Sequence, residues 1–388
     1  MFSWRGIARK GDMMRDAEHL IDREREKESI EGLLTAAVSG TGSLLTVCGA
    51  AGTGKTALID HATDLATTRD MTVLRVRGSF AEVDAPFGLA QRLFEPRLEL
   101  GALSREGLNE ALTGLAAAGT VLVAVDDVQW ADEPSLRWLA SLPPRIEHHG
   151  IAMLVSVCAG DPPTDSELLD DLLESSADEL RPCELGPAAA AALLGGDPDR
   201  ASTCWELTAG NPALLTRLAA ELSTEDTDPL QVEVPLVART VHVWLRRVSD
   251  RAVAIARAVA VLGSHATLDR VADITGVELP EVADVVAAVE RKGLLRTADG
   301  MVDFAQPLVR VTVTRELSFA ALRRVHGQAA RLLHESGAPD ESIAEHLLAS
   351  GPVTSEWAVG VLRSAAASAL ERGCPELAVT WLRHAAAG

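Results

Sequence analysis

Tyrosine is absent from the 388 residues, and aromatic side chains make up only 3% of them. Proteins that grip single-stranded nucleic acid stack bases on aromatic rings, so this composition excludes such a platform. Positive charge is also scarce. Lys and Arg number 36 against 56 Asp and Glu, a formal net charge of −20, which repels a phosphate backbone and excludes DNA binding by bulk electrostatics. No apolar run reaches the roughly 18 residues of a membrane span. Met1 to Leu20 interleaves Arg5, Arg9, Lys10 and Asp12 with short apolar pieces, so neither a signal peptide nor a membrane partner is expected. The five cysteines, Cys48, Cys158, Cys183, Cys204 and Cys374, stand singly with no C-x-x-C pair. That pattern suggests neither a disulfide framework nor a zinc site and fits a reducing cytoplasm.

What the chain does have is apolar material for several cores, with 47% hydrophobic and 24% charged residues, and a length that predicts more than one domain. Residues 1–19 are polar and irregular and read as a tail. Leu20 to Leu34 carries apolar residues among dense charges, the pattern of an amphipathic helix. Short β-rich runs then alternate with helical stretches: Leu44 to Cys48, Thr72 to Arg77, Val121 to Val125, Ile151 to Val157 and, weakly, Leu180 to Leu185. This alternation predicts a parallel five-stranded sheet covered by helices over residues 20–185. Val121 to Val125 and Ile151 to Val157 lack polar alternation, as strands buried on both faces do.

Beyond Leu185 alanine and leucine recur at helical spacing. Pro187 to Leu194 and Ala201 to Leu222 predict a helical lid over 186–228, and Ser223 to Pro235 reads as a linker. Residues 229–319 predict helices near Val248 to Leu262, Leu268 to Thr275 and Pro280 to Lys292. Two β-like runs, Gly293 to Thr297 and Met301 to Phe304, follow around a loop of Ala298, Asp299 and Gly300, a winged-helix pattern. Residues 320–388 predict TPR-like helical hairpins, with Trp357, Val361, Leu362 and Ala365 on one stripe and Leu377, Trp381 and Leu382 on the next. The closing Ala385, Ala386, Ala387 and Gly388 form no polar capping helix, so the repeat array reads as incomplete.

The strongest chemical signal is Gly49, Ala50, Ala51, Gly52, Thr53, Gly54, Lys55 and Thr56, which matches G-x-x-x-x-G-K-[ST] at every fixed position. Glycines let successive backbone N–H groups turn inward around a phosphate at the positive end of the helix continuing through Ala57. Lys55 is expected to neutralise the β and γ phosphates and the Thr56 hydroxyl to ligate Mg²⁺. The strand Val121 to Val125 ends in Asp126 and Asp127, placing carboxylates at the same edge of the sheet. Asp126 is expected to hold the metal through water. Asp127 is a candidate to polarise an attacking water or, as the plainer alternative, to cap the following turn.

These residues, with Leu20-Ile21-Asp22-Arg23-Glu24, Pro86-Phe87, the segment Asp126 to Asp132, Gly210-Asn211-Pro212, and Arg323, Arg324 and His326, resemble the large ATP-binding LuxR-type, MalT-like transcriptional regulators among the STAND ATPases. The resemblance implies a switch. A P-loop domain and lid clamp ATP, a winged helix stabilises the resting form, and helical repeats receive an inducer or protein partner, with self-assembly as the outcome. It also implies that Pro212 contacts the adenine side and Arg23 the nucleotide's edge. Two departures stand out: Cys158 occupies the strand end where the family carries an arginine, and no basic helix-turn-helix follows Ala320. Slow hydrolysis at most, and no DNA binding by this chain, are therefore expected. A non-hydrolysing ATP scaffold and an ordinary P-loop ATPase acting on a small substrate remain the alternatives.

Overall fold

A computed structural model describes residues 20–95, 104–194, 198–222 and 234–387. The tail, most of the Ser223 to Pro235 linker and Gly388 lie outside the described residues. Two units result: residues 1–205 with 210–219, and residues 206–209 with 220–388.

In the first unit the chain order is α1 (Glu24–Val38), β1 (Ser43–Gly49), α2 (Lys55–Thr68), β2 (Thr72–Arg77), α3 (Gly88–Phe94), α4 (Arg105–Ala118) and β3 (Val121–Asp126). Then follow α5 (Glu133–Ala140), α6 (Pro143–Ile146), β4 (Ile151–Cys158), α7 (Ser166–Glu174), β5 (Asp178–Leu180), α8 (Pro187–Leu194), α9 (Pro198–Thr208) and α10 (Pro212–Glu221). All pairings in the five-stranded sheet are parallel, in the order β2-β3-β4-β1-β5. This is a P-loop NTPase fold. Alternation along β3 explains why it lies inside: Val121, Val123 and Val125 enter one core and Leu122 and Ala124 the other. The first core is roofed by α3, α4, α5 and α7, and the second by α1 and α2. Burying one such valine contributes roughly 1.5–3 kcal/mol, and all six β3 residues are buried.

One local reading in this unit needs correction. The last strand is Asp178–Leu180 rather than Leu180 to Leu185. It pairs only with β1, and Pro182 just beyond has no N–H to continue a ladder. Within Ala201 to Leu222 the helical unit is interrupted before Pro212, the helix stop that proline there also suggests, with Ala209 and Gly210 at positive φ of 48° and 72° between α9 and α10. Pro212 begins the second helix, where its missing N–H costs nothing.

The second unit contains α11 (Pro235–Val248), α12 (Ala252–Leu262), α13 (Leu268–Thr275), α14 (Leu279–Arg291), β6 (Leu295–Ala298), β7 (Met301–Phe304), α15 (Pro307–Arg315), α16 (Phe319–Glu335), α17 (Asp340–Ser350), α18 (Glu356–Glu371) and α19 (Pro375–Ala386). The run expected from Val248 is split. Ser249 Oγ accepts from the amides of Arg251 and Ala252 at 3.2 and 3.1 Å, starting α12 afresh. The hairpin loop is shorter than read. Ala298 pairs with Met301, and only Asp299 and Gly300 turn, both at positive φ, as a two-residue type I′ connection requires. Helix α15, rich in Val and Thr, carries no helical signal in its composition. Thr312 and Thr314 donate to the carbonyls of Leu308 and Arg310 one turn back, while Leu308, Val309 and Val313 are buried, so packing overrides β propensity. Leu377 and Leu382 lie off the buried face, 47% and 42% exposed, and Ala378 with Trp381 does the packing.

Helices α16 and α17 bury a histidine pair. The Nδ1 atoms of His326 and His346 lie 2.9 Å apart, and His346 is only 8% exposed. Burial, then the charges of His326 and His265, pushes His346 down to about 4, and burial lowers His326 as well. The unfolded chain therefore takes up protons first as pH falls. Stability is expected to be full above pH 6.5 and to decline down to pH 4, by up to about 1.4 kcal/mol per unit from His346. Thermal melts of the protein and of His346→Gln at pH 7.5 and 5 check this. An equally steep decline in the variant contradicts it.

Candidate functional site

The phosphate-loop sequence lies between the end of β1 and the start of α2. Its geometry follows from glycine. Gly52 and Gly54 sit at φ 80° and 101°, a region that a Cβ disfavours. Among the described residues, no backbone hydrogen bond outside helices and strands is donated by the amides of Gly52 or Gly54, so these donors remain available to an anion. Thr53 Oγ1 closes the loop onto the Ala50 carbonyl at 3.1 Å. Lys55 is 6% exposed and donates to the carbonyls of Gly49 and Ala50 at 2.9 and 2.6 Å. Ala51 is buried, and Ala57 is exposed in the first turn of α2.

The acidic strand end meets this loop. Thr56 Oγ1 donates to Asp126 Oδ2 at 2.9 Å, and Ser156 Oγ on β4 donates to Asp126 Oδ1 at 2.5 Å. A hydroxyl and a carboxylate side by side form an oxygen donor set that fits Mg²⁺. Asp127 turns the chain at φ 52°. Its Oδ2 accepts from Arg77 Nε and Nη2 at 3.0 and 2.7 Å. It makes no side-chain cap on the turn Val128–Trp130. Trp130 is 3% exposed and packs edge-on against Phe80 at 5.0 Å, an anchor for that turn. The Cys48 thiol just before the loop is pushed up to about 12 by burial and then by Glu179, so it offers no thiolate nucleophile near neutral pH.

The structure places Arg23 and the Gly-Asn-Pro turn at the loop through main-chain contacts. Arg23, 5% exposed, donates to the Thr53 carbonyl at 3.3 Å and to the carbonyl of Cys183. Pro212 is the half-buried first residue of α10. Its neighbours make the bonds: Asn211 Nδ2 donates to the Ala51 carbonyl at 2.8 Å, and the Ala213 amide to Gly52 O at 3.1 Å. Asn211 Oδ1 also accepts from the Leu214 amide at 3.2 Å, capping α10. Asn211→Ala is expected to lower stability by about 1–2 kcal/mol and to weaken nucleotide affinity several-fold. Melting and titration calorimetry check both, and an unchanged affinity would detach this turn from the site.

Sequence reasoning gave no role to Ser156, Arg77, Gln129 or Asn211. Gln129, fully buried, accepts from the Cys158 amide at 3.2 Å and reaches Asp161 Oδ2 at 3.4 Å. Asp132 explains the Pro86-Phe87 motif: it accepts from the amides of Phe87 and Leu89 at 2.8 and 3.0 Å and caps α5. Cys158 ends β4 opposite Gly49 and is buried.

Comparison with known proteins agrees with this geometry. Residues 19–155 match the AAA ATPase domain model. No curated protein matches the chain. The Walker-type ATPase of Pyrococcus abyssi is similar in structure, with a TM-score of 0.52 and 18% identity, over 80% of this chain and 99% of that one. The Orc2 protein of Aeropyrum pernix, solved in ADPNP–ADP complexes, has a TM-score of 0.47 and 15% identity, over 76% of this chain and 95% of its own. Residues 19–155 thus resemble an AAA ATPase domain, and the fold is that of a P-loop NTPase. Among the described residues, no helix is long and apolar enough to cross a membrane.

Proposed function

We propose that this chain is an ATP-operated regulatory switch of the LuxR-type, MalT-like kind, in which nucleotide state sets the conformation of the helices that follow the sheet. The observation carrying the reading is that α10 is bonded directly to the phosphate loop, through Asn211 to Ala51 and Ala213 to Gly52. A loop that reorganises around a phosphate moves the acceptors on which α10 begins, so binding energy has a mechanical path out of the site.

Residues Gly49 to Ala57 would surround the phosphates, Lys55 would exchange its carbonyl partners for phosphate oxygens, and Thr56 with Asp126 would hold Mg²⁺. The metal, when bound, supplies the charge that offsets the triphosphate. Arg23 would meet the nucleotide's edge and Pro212 its adenine side, while Arg23 and Asn211 also brace the loop through the Thr53 and Ala51 carbonyls. In the second unit, α12 to α14 with the β6–β7 hairpin serve as a winged-helix packing domain, and α16 to α19 as TPR-like repeats for an inducer or protein partner, with self-assembly as the response. DNA is not the partner of this segment: on α14 Glu281, Asp284 and Glu290 are exposed while Lys292 is fully buried, so phosphates would face like charge.

A second, non-hydrolysing reading is favoured by one position. Cys158 pairs with Gly49 at the end of β4, where the family resembled carries an arginine, so this strand end offers no cation to a γ phosphate. A multiple-turnover phosphate-release assay with purified protein tests both. Fast turnover defeats switch and scaffold alike, and retained nucleotide without release favours the scaffold.

A further inference from the structure

Arg77 is the last residue of β2 and the cross-strand partner of Asp126 on β3. The two carboxylates it faces are nearly inaccessible, Asp126 at 1% and Asp127 at 4% exposure, whereas the Arg77 side chain keeps 54% of its surface in solvent. The guanidinium donates twice to Asp127 Oδ2 and stands 3.5 Å from Asp126 Oδ2. That Asp126 oxygen is the one that accepts from the Thr56 hydroxyl at 2.9 Å. Arg77 therefore shares an oxygen with the pair of groups that fits a divalent cation. Its backbone is fixed: Gly78 N–H bonds to Asp126 O at 2.8 Å, and the Arg77 carbonyl accepts from Arg92 at 3.1 Å. A Cβ on Gly78 would run into the Asp127 carbonyl and Trp130, so β2 can lie this close to β3 only with glycine there.

Charge decides what a firmly based but half-exposed guanidinium does at such a corner. Two adjacent buried carboxylates need positive charge beside them. Arg77 supplies it when nothing else does. Thr56 and Asp126 would hold a divalent cation, whose charge would meet that need and weaken the hold of the shared oxygen on Arg77. The long stem lets the guanidinium turn without disturbing a packed core. An acceptor for a guanidinium released from that oxygen would be the end of a phosphate chain on the neighbouring loop, which a triphosphate extends and a diphosphate does not.

We propose that Arg77 distinguishes nucleoside triphosphate from diphosphate, pairing with Asp126 and Asp127 in the empty site and moving to the terminal phosphate when Mg²⁺ takes over its place. This rests on the nucleotide reading above and adds the residue that sets specificity within it.

The test is titration calorimetry on the full chain with Mg·ATPγS and Mg·ADP, for the wild type, Arg77→Met and Arg77→Lys, each checked for a cooperative melt. Arg77→Met is expected to weaken ATPγS at least tenfold while ADP changes less than twofold, and Arg77→Lys to recover part of the loss. Where Arg77→Met does not melt cooperatively, the double variant Arg77→Met with Asp127→Asn removes charge and counter-charge together and is expected to show the same selective loss. Equal weakening of both nucleotides, or no change in either, marks Arg77 as a structural strut and overturns the proposal. A wild type that binds neither nucleotide overturns the nucleotide reading itself, a distinct result.

Discussion

Replacing Lys55 by alanine is expected to reduce Mg·ATP affinity at least a hundredfold, about 2.8 kcal/mol. Lys55 is 6% exposed, and its ammonium is held inside the loop by the Gly49 and Ala50 carbonyls at 2.9 and 2.6 Å. It needs little movement to meet a phosphate, and charge-assisted hydrogen bonds of that kind contribute about 1.5–3 kcal/mol each. Alanine removes the charge and leaves the main-chain amides alone. The glycines Gly52 and Gly54 keep their positive φ whatever the side chain at 55, so the fold should survive and the loss should be specific to binding. Calorimetry with Mg·ATP measures it, and an affinity within tenfold of the wild type contradicts the site assignment.

Asp126→Ala is expected to abolish the dependence of nucleotide affinity on Mg²⁺ and to lower stability by about 1–3 kcal/mol. The second effect arises because Ser156 Oγ at 2.5 Å and Thr56 Oγ1 at 2.9 Å lose their acceptor in a buried place. Asp126→Asn separates the two effects, since an amide oxygen can still accept while the negative charge is gone. Titrations with and without Mg²⁺ on both variants, alongside melts, give the comparison. If adding the metal strengthens binding in Asp126→Asn as much as in the wild type, Asp126 plays no part in holding it.

The legible parts of the fold are those encoded over short stretches of chain. Uniform apolar character over Val121 to Val125 placed a central strand, and β3 is buried along its whole length. The glycine spacing from Gly49 to Gly54 placed a tight anion loop, and Gly52 and Gly54 carry the positive φ such a loop needs. The misreadings occur where neighbours outvote local pattern. Helix α15, for which the sequence pattern predicts no element, has the composition of a strand yet packs as a helix through Leu308, Val309 and Val313. In α19 the expected Trp381 is buried, but its partner on the buried face is the small Ala378 rather than the exposed Leu377 and Leu382. The opening of α11 at Pro235 resembled the continuation of a linker, because proline marks both a loop and the first turn of a helix.

The sequence alone determined that a phosphate-gripping loop follows a strand and that paired acids end another, since both depend on backbone freedom and period-two burial within a few residues. Only the tertiary structure decided which polar side chains join them. Ser156 meets Asp126 across 30 residues of sequence, and Asn211 reaches Ala51 across 160. Arg77 faces the acids because β2 lies next to β3 in register. The strand order β2-β3-β4-β1-β5 brings distant strand ends to one edge. Serine, asparagine and arginine have no local spacing that announces such a meeting, so their roles are fixed by strand adjacency and register, which exist only once the sheet has formed.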